Sequence, residues 1–294
     1  MKLPFQIPGI PNNNVLFLET PTDSGYENTE RLSYNDARIL DTIRANRDRF
    51  FMLIIEPILM NYGVSTPSAV FLRELRKVCD ECQIPLAFDE IQTAFGWLGE
   101  MSAAQRVQVK PDMLAVSKGL TGGYGPLAAS ICNARYSQER GTGESTNGSD
   151  LRAMVAAKAV FERLKGIPKQ EIPAGLPDQL AAELEGGLLQ TVATKAKRVR
   201  GQLMELVRRH EGIAGTIRGE GLIVGIPLKD TRSQPSPALA AAVYQDLIER
   251  GVFARASHDA IILKPPLVIT EKQIEFALDQ LDQSLQYFSA QPLS

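Results

Sequence analysis

The sequence predicts an α/β protein with a mainly parallel sheet in its first half and a smaller α+β domain in its second half. Short apolar runs around 50–57, 85–89 and 110–119 are typical of buried strands, and a helical pattern separates the first two. A Pro/Gly-rich stretch at 165–179 then interrupts the chain. Beyond it, helical and strand patterns alternate again, which favours a second, smaller unit.

In the first half, apolar runs predict four strands, and apolar residues at helical spacing predict two helices. A lysine stands at the exit of the third strand, and a glycine-rich turn separates that strand from the fourth. The predicted order is strand 50–57, helix 68–82, strand 85–89, strand 110–119, strand 125–133 and helix 149–164.

In the second half, the chain after the Pro/Gly-rich stretch begins with a long helical pattern. Two strands joined by Gly219-Glu220-Gly221 are predicted next, followed by a helix, two short strands and a last helix. The predicted ranges are 178–210 for the long helix, 213–228 for the strand pair, then 236–250, 252–256, 260–264 and 270–287.

Composition favours a globular protein that acts on a small molecule. Of 294 residues, 44% are hydrophobic, and 32 Lys and Arg nearly balance 34 Asp and Glu. The sequence has no basic stripe interleaved with aromatic residues, so it does not suggest nucleic acid binding. The N-terminus lacks the apolar core of a signal peptide, and no segment has the length of a membrane span. We therefore expect a cytoplasmic protein.

Three cysteines include the pair Cys79-Asp-Glu-Cys82, which has the spacing of a redox or half-metal site. No second pair exists, because Cys132 is alone and the two histidines, His210 and His258, lie far away in sequence. Cys79 and Cys82 fall at the end of a helical pattern, so we interpret them as ordinary buried or half-buried thiols.

The strand at 85–89 ends in two adjacent carboxylates, Asp89 and Glu90, followed by Gln92. A Walker B strand has this form, but the phosphate-binding string GxxxxGK[ST] is absent from the sequence. A metal site is disfavoured, because neighbouring residues of a strand point to opposite faces and no third ligand is near in sequence. The carboxyl end of a strand in an open α/β sheet is nevertheless where ligands bind.

A third interpretation pairs Asp89 with Lys118, 29 residues downstream, which leaves the next predicted strand. An ionised aspartate can hold a proton on a pyridine nitrogen, and a lysine amine can form a Schiff base with an aldehyde. Together they are the protein half of pyridoxal phosphate chemistry. Glycines after the lysine permit tight turns around a bulky ring. These glycines are Gly119, Gly122, Gly123 and Gly125. The alternative interpretation of Lys118 is a solvated lysine before a flexible loop.

Six strings in order resemble the class III aminotransferases of the ornithine, 4-aminobutyrate and acetylornithine type, which are fold-type I pyridoxal phosphate enzymes. The resemblance covers nearly the whole chain and implies transfer of an amino group from an amino acid or ω-amino compound to a 2-oxo acid. Lys118 would be the catalytic Schiff-base residue and proton shuttle. The strings are IIEPI, FLRELRKVCDE, LAFDEIQTAFG, PDMLAVSKGLTGGYGPLAA, RGEGLIVGI and ILKPPLVIT.

The same resemblance implies roles for four further residues. Asp89 would pair with the ring nitrogen, and Gln92 would reach the ring hydroxyl. Thr146 stands near the position of a threonine that binds the cofactor phosphate of the neighbouring subunit in a homodimer, although a helix cap or turn is an equal alternative. Lys264 occupies a position where many members have an arginine for the substrate carboxylate, and lysine offers a point charge instead of a bidentate fork.

The resemblance also shows departures from the family pattern. Ala94 and Trp97 replace a glycine and an arginine after Asp89, and Arg218 is interpreted as structural. The glycine-rich phosphate loop and ring-stacking aromatic that precede this region in the family are not found here. We therefore expect an incomplete large domain at 1–165, then a linker helix and small domain at 166–294. Activity would need a missing N-terminal segment or a separate N-terminal chain. A non-catalytic dimerising relative, and a racemase or lyase, remain alternatives.

Overall fold

In the computed structural model, residues 16–26, 31–136 and 150–290 are described, and they form two sheets flanked by helices. The first sheet has the strand order β1-β2-β3-β4. The first three strands run parallel, and the fourth is antiparallel to the third. The strands are β1 Leu53–Ile55, β2 Leu86–Asp89, β3 Met113–Val116 and β4 Ala129–Cys132.

Three helices of the first half begin at serine caps whose hydroxyl oxygens accept a backbone N–H from the first turn. The caps are Ser33, Ser68 and Ser102. The first two helices bury their apolar faces with β1 and β2 in one hydrophobic cluster. This packing fixes the sheet from one side. The helices are α1 Tyr34–Ala45, α2 Ala69–Glu81 and α3 Ala103–Val107.

Helices α4 Leu151–Lys165, α5 Asp178–Gly186 and α6 Leu188–Arg209 follow the first sheet. The end of α4 crosses the junction of α5 and α6 at two glycines, Gly166 and Gly187. A Cβ atom on Gly166 would lie 2.7 Å from the carbonyl oxygen of Glu185. Both glycines have positive φ and ψ near 160°, a region that only glycine occupies readily. The two helix ends therefore meet through main-chain atoms.

The second sheet is antiparallel, with the order β5-β7-β6, and packs with three helices in a separate hydrophobic cluster. Its central strand, β7, carries the two fully buried residues Ala260 and Ile261. No helix in the described ranges is both long and apolar enough to cross a membrane. The elements are β5 Val224–Pro227, α7 Pro237–Glu249, β6 Arg255–Ser257, β7 Ala260–Leu263 and α8 Glu271–Ala290.

The structure confirms most of the predicted elements and corrects three. The predicted strand pair at 213–228 is wrong in its first half, because residues before β5 form only isolated bridges at Ala214 and Arg218. The predicted long helix at 178–210 is two helices, since Gly187 breaks it. The strand predicted at 110–119 ends at Val116, so Lys118 opens a 3-10 turn beyond it. Helix α1 was not predicted.

Substituting Gly166 with alanine should lower the free energy of unfolding by at least about 2 kcal/mol, because a side chain there meets main-chain atoms and an unfavourable φ. Gly201→Ala is the matched control, since Gly201 lies within α6 with open space around its Cβ position. That change should stabilise by up to about 1 kcal/mol. Urea unfolding of the two variants measures both effects, and equal midpoints would contradict the close crossing.

Candidate active site

Three charged side chains lie where the parallel strands of the first sheet end. Glu56 directly follows β1, Asp89 is the last residue of β2, and Lys118 follows β3 after one intervening residue. Ile55 pairs with Phe88 and Asp89 pairs with Ala115, so the three strand ends are level. Parallel pairing therefore places two carboxylates and one amine at the same edge of the sheet.

Glu56 was not identified from the sequence, although it follows a strand just as Asp89 does. Burial raises the pKa of the Glu56 carboxyl, a hydrogen bond from the backbone N–H of Met60 lowers it, and the charge of Asp89 raises it. The charges of Lys118 and Arg255 lower the same pKa. Glu56 thus interacts electrostatically with both Asp89 and Lys118, which agrees with the position of all three groups at one edge of the sheet.

Asp89 and Glu90 have different surroundings. Asp89 is half-buried, and its Oδ1 accepts the backbone N–H of Ile91 at 3.1 Å. Glu90 is fully buried, and its two oxygens accept the backbone N–H groups of Ala103 and Ala104 at 2.6 and 2.8 Å. Burial raises the pKa of Glu90, whereas these hydrogen bonds lower it. Glu90 therefore holds the start of α3, while Asp89 is the more accessible of the two carboxylates.

Lys118 is exposed and has φ of +43°, a left-handed conformation that is uncommon for a residue with a side chain. Two hydrogen bonds close the loop around it. Ser117 Oγ donates to the carbonyl oxygen of Leu127 at 2.9 Å, and Thr121 Oγ1 donates to that of Gly125 at 2.7 Å. The loop therefore presents the amine from a constrained backbone, as functional sites often do.

Lys264 contacts Gln92 near this edge of the sheet, although the two residues are far apart in sequence. Lys264 Nζ donates to the backbone carbonyl oxygen of Gln92 at 2.6 Å and lies 3.9 Å from the centroid of the Trp97 ring. Burial and the charge of Lys118 lower the pKa of Lys264 to about 8. The structure thus brings Lys264 close to Lys118 but gives its amine two partners within the protein.

Other features of the sequence lie elsewhere. Thr146 is outside the described residues. Arg218 pairs with Asp23 and Asp259 at 2.9 and 2.8 Å, as a structural residue would. It borders a cavity of about 650 Å³ against α6 that includes none of the strand-end residues. This cavity is therefore separate from the candidate site.

Cys79 and Cys82 form no disulfide and join no metal-ligand cluster within the described ranges. Burial raises the pKa of the Cys79 thiol to about 12, and all three cysteines are free. In the described part of the chain, no group of three or more metal-ligating side chains comes together. Cys79 packs in the core of the first sheet, where a buried thiol behaves as a small apolar residue.

Comparison with known proteins decides the family. The sequence pattern of the class-III aminotransferases matches residues 6–285. The chain belongs to this family. Acetylornithine aminotransferase 1 from Bradyrhizobium diazoefficiens is 31% identical over 79% of the chain and 51% of its own length. Acetylornithine aminotransferase from Methanosarcina mazei is 29% identical over 87% of the chain and 57% of its own length.

Solved structures of transaminases share this fold. An acetylornithine aminotransferase from Elizabethkingia anophelis superimposes with a TM-score of 0.70 and 25% identity, covering 88% of this chain and 62% of that one. A PLP-bound amine transaminase from an uncultivated Pseudomonas species gives 0.70 and 27%, covering 86% and 57%. The chain spans just over half the length of the two curated class-III relatives.

The neighbouring carboxylates should respond differently to substitution. Glu90→Ala should lower the free energy of unfolding by about 2–3 kcal/mol, because it leaves buried backbone N–H groups at the start of α3 without an acceptor. Asp89→Asn keeps the Oδ1 acceptor for Ile91 and should change it by less than about 0.5 kcal/mol. Urea denaturation checks both, and a larger loss for Asp89→Asn would refute this division of roles.

Proposed function

We propose that the chain carries the lysine-bearing part of a pyridoxal-phosphate-dependent aminotransferase. The reaction would move an amino group from an amino acid or ω-amino compound to a 2-oxo acid. One observation carries the proposal, namely that Asp89 and Lys118 stand at neighbouring parallel strand ends beside the same carboxylate, Glu56. Membership of the class-III aminotransferases supports it.

The groups at the sheet edge suit the two ends of a pyridoxal ring. Pyridoxal phosphate, when bound, supplies an electron sink for the amino-bearing carbon. Asp89, half-buried and hydrogen-bonded through Oδ1 to the backbone N–H of Ile91, would hold a proton at the ring nitrogen. Lys118 Nζ would bind the aldehyde carbon and move a proton as a free amine. The Gln92 side chain would orient the ring hydroxyl.

The substrates follow from the relatives in part. Two similar proteins are named acetylornithine aminotransferases, so we propose an amino compound that also carries a carboxylate. Contact of Lys264 with a substrate carboxylate stays a prediction, since its amine already donates to Gln92. Contact of Thr146 with the cofactor phosphate in a homodimer also stays a prediction. We place the enzyme in the cytoplasm, on the sequence features given above.

We further propose that additional chain completes the first sheet. Strand β4 is an edge strand, all four of its residues are exposed, and its outer edge makes no ladder among the described residues. Ile131 within β4 is an exposed apolar side chain, as are Tyr124 before the strand and Leu151 at the start of α4. An unpaired edge and an apolar surface are both typical of a contact site. A separate N-terminal segment would cover this edge and add the phosphate-binding groups.

The division into domains remains part of the proposal. We place the large cofactor-binding domain at 1–165 and the linker helix and small domain at 166–294. Each sheet has its own hydrophobic cluster, which supports two units. Ile223 and Ile262 nevertheless pack in the first cluster, so the units share an apolar contact.

Borohydride reduction tests the role of Lys118. After incubation with pyridoxal phosphate, reduction should attach the cofactor to Lys118, and peptide mapping by mass spectrometry should locate it there. Lys118→Ala should abolish this adduct and its absorbance band. Lys110→Ala is the control, because Lys110 is an exposed lysine just before β3. Equal labelling of the two variants would refute the assignment and favour a non-catalytic relative.

Titration of pyridoxal phosphate tests the need for additional chain. Each charge-assisted hydrogen bond to the phosphate contributes about 1.5–3 kcal/mol, so lacking several should weaken binding by orders of magnitude. Residues 1–294 alone should bind weakly and show little amino transfer. An added N-terminal segment, taken from a class-III relative, should raise both. Tight stoichiometric binding and rapid turnover by residues 1–294 alone would contradict the proposal.

A further inference from the structure

Trp97 and Lys264 connect the loop that follows β2 to the segment that follows β7, and each of them donates a hydrogen bond to the other segment. The indole Nε1 of Trp97 donates to the backbone carbonyl oxygen of Pro265 at 3.0 Å. In return, Lys264 Nζ donates to the carbonyl oxygen of Gln92 and sits over the Trp97 ring. We call these three contacts the Trp97–Lys264 bridge. They join residues about 170 positions apart, in the segments that follow one strand of each sheet.

We propose that Lys264 is a positioning residue that acts through this bridge. It holds the Gln92 loop and the Lys118 backbone against the second sheet. The proposal rests on the function proposed for Lys118, and it gives Lys264 a task that precedes any contact with substrate.

The ring of Trp97 extends the bridge to the lysine loop. A Cβ atom on Gly119 would lie 2.7 Å from Cζ3 of Trp97, so the ring lies directly against the residue after Lys118. The backbone of Trp97 is also fixed, because its carbonyl oxygen accepts the N–H of Leu222 at 2.8 Å. Its side chain packs against the hydrophobic clusters of both sheets. A movement of Trp97 would therefore displace the backbone that carries the amine.

The charge of Lys264 is what makes the bridge sensitive to pH. A cation over an aromatic face is attracted by the ring electrons, and the contact strengthens when water is excluded. Lys264 forms no ion pair with the described residues, and Lys118 is the charged group that acts on it. Burial and Lys118 lower its pKa to about 8. The ammonium therefore predominates at neutral pH and is lost as pH rises through that value.

Trp97 is the only tryptophan of the chain, so its fluorescence reports the bridge without cofactor. In the unmodified protein, emission should change with a midpoint near pH 8 as Lys264 loses its proton. Lys264→Met should remove this transition. Lys264→Arg should also remove it, because arginine stays charged, and should keep the emission seen below the transition.

Lys195→Gln provides a matched control. Lys195 is another partly buried lysine, and it donates to the carbonyl oxygens of Leu267 and Ile269 in the segment after β7. Its removal should leave the transition of Trp97 in place. Circular dichroism of each variant verifies that it is folded. The proposed role of the bridge would be overturned if the fluorescence transition persisted in Lys264→Met or were absent from the unmodified protein.

A second measurement separates positioning from substrate binding. The rate of borohydride-trapped adduct formation at Lys118 needs cofactor but no amino substrate. At pH 7, Lys264→Met should lower this rate by about three- to thirtyfold, the range of a partly buried cation–π contact, and Lys264→Arg should restore most of it. An unchanged rate in Lys264→Met would overturn the positioning role. A lack of adduct in the unmodified protein even at saturating pyridoxal phosphate, with the fluorescence transition intact, would instead refute the proposed function.

Discussion

Parallel pairing of β1, β2 and β3 is the constraint on which the site depends. Strands that run in one direction deliver whatever follows them to the same edge, and the level register brings Glu56, Asp89 and Lys118 to comparable height. The surrounding structure then maintains that edge. Buried Glu90 fixes the start of α3, and two hydroxyl groups close the lysine loop. The grouping of these three charged residues therefore follows first from the sheet topology, and side-chain packing only maintains it.

Much of this could be predicted from local sequence, because a strand and its exit are local features. The apolar run before Asp89 and the lysine after β3 predicted that both residues follow strands of one sheet, and the helical spacing around Cys79 predicted α2. The same rule, applied to IIEP, would have found Glu56. What separates Asp89 from Glu90 could not be predicted in this way, since Glu90 is held by backbone groups 13 and 14 residues later.

The predictions that failed depend on distant or main-chain contacts. The segment before β5 has strand-like residues, but its backbone forms only isolated bridges in the described part of the chain. The Arg218 side chain in this segment forms ion pairs with Asp23 and Asp259, which lie far away in sequence. The helix break at Gly187 follows from its contact with Gly166, which no periodic pattern records. The contact of Lys264 with Trp97, a residue more than 160 positions away, is likewise one that no local pattern records.

The crossing of Gly166 and Gly187 also limits how α4 can move relative to α5 and α6. Side chains can change rotamer and let packed helices slide, but main-chain atoms in contact have no such freedom. Displacement of α4 relative to α5 would break the hydrogen bond from the N–H of Ile167 to the carbonyl oxygen of Leu184. The end of α4 and the α5–α6 junction are thus held together by direct main-chain contacts. The spacing between the end of α4 and the α5–α6 junction is therefore set by the backbone itself, and changes in the side chains around it cannot adjust it.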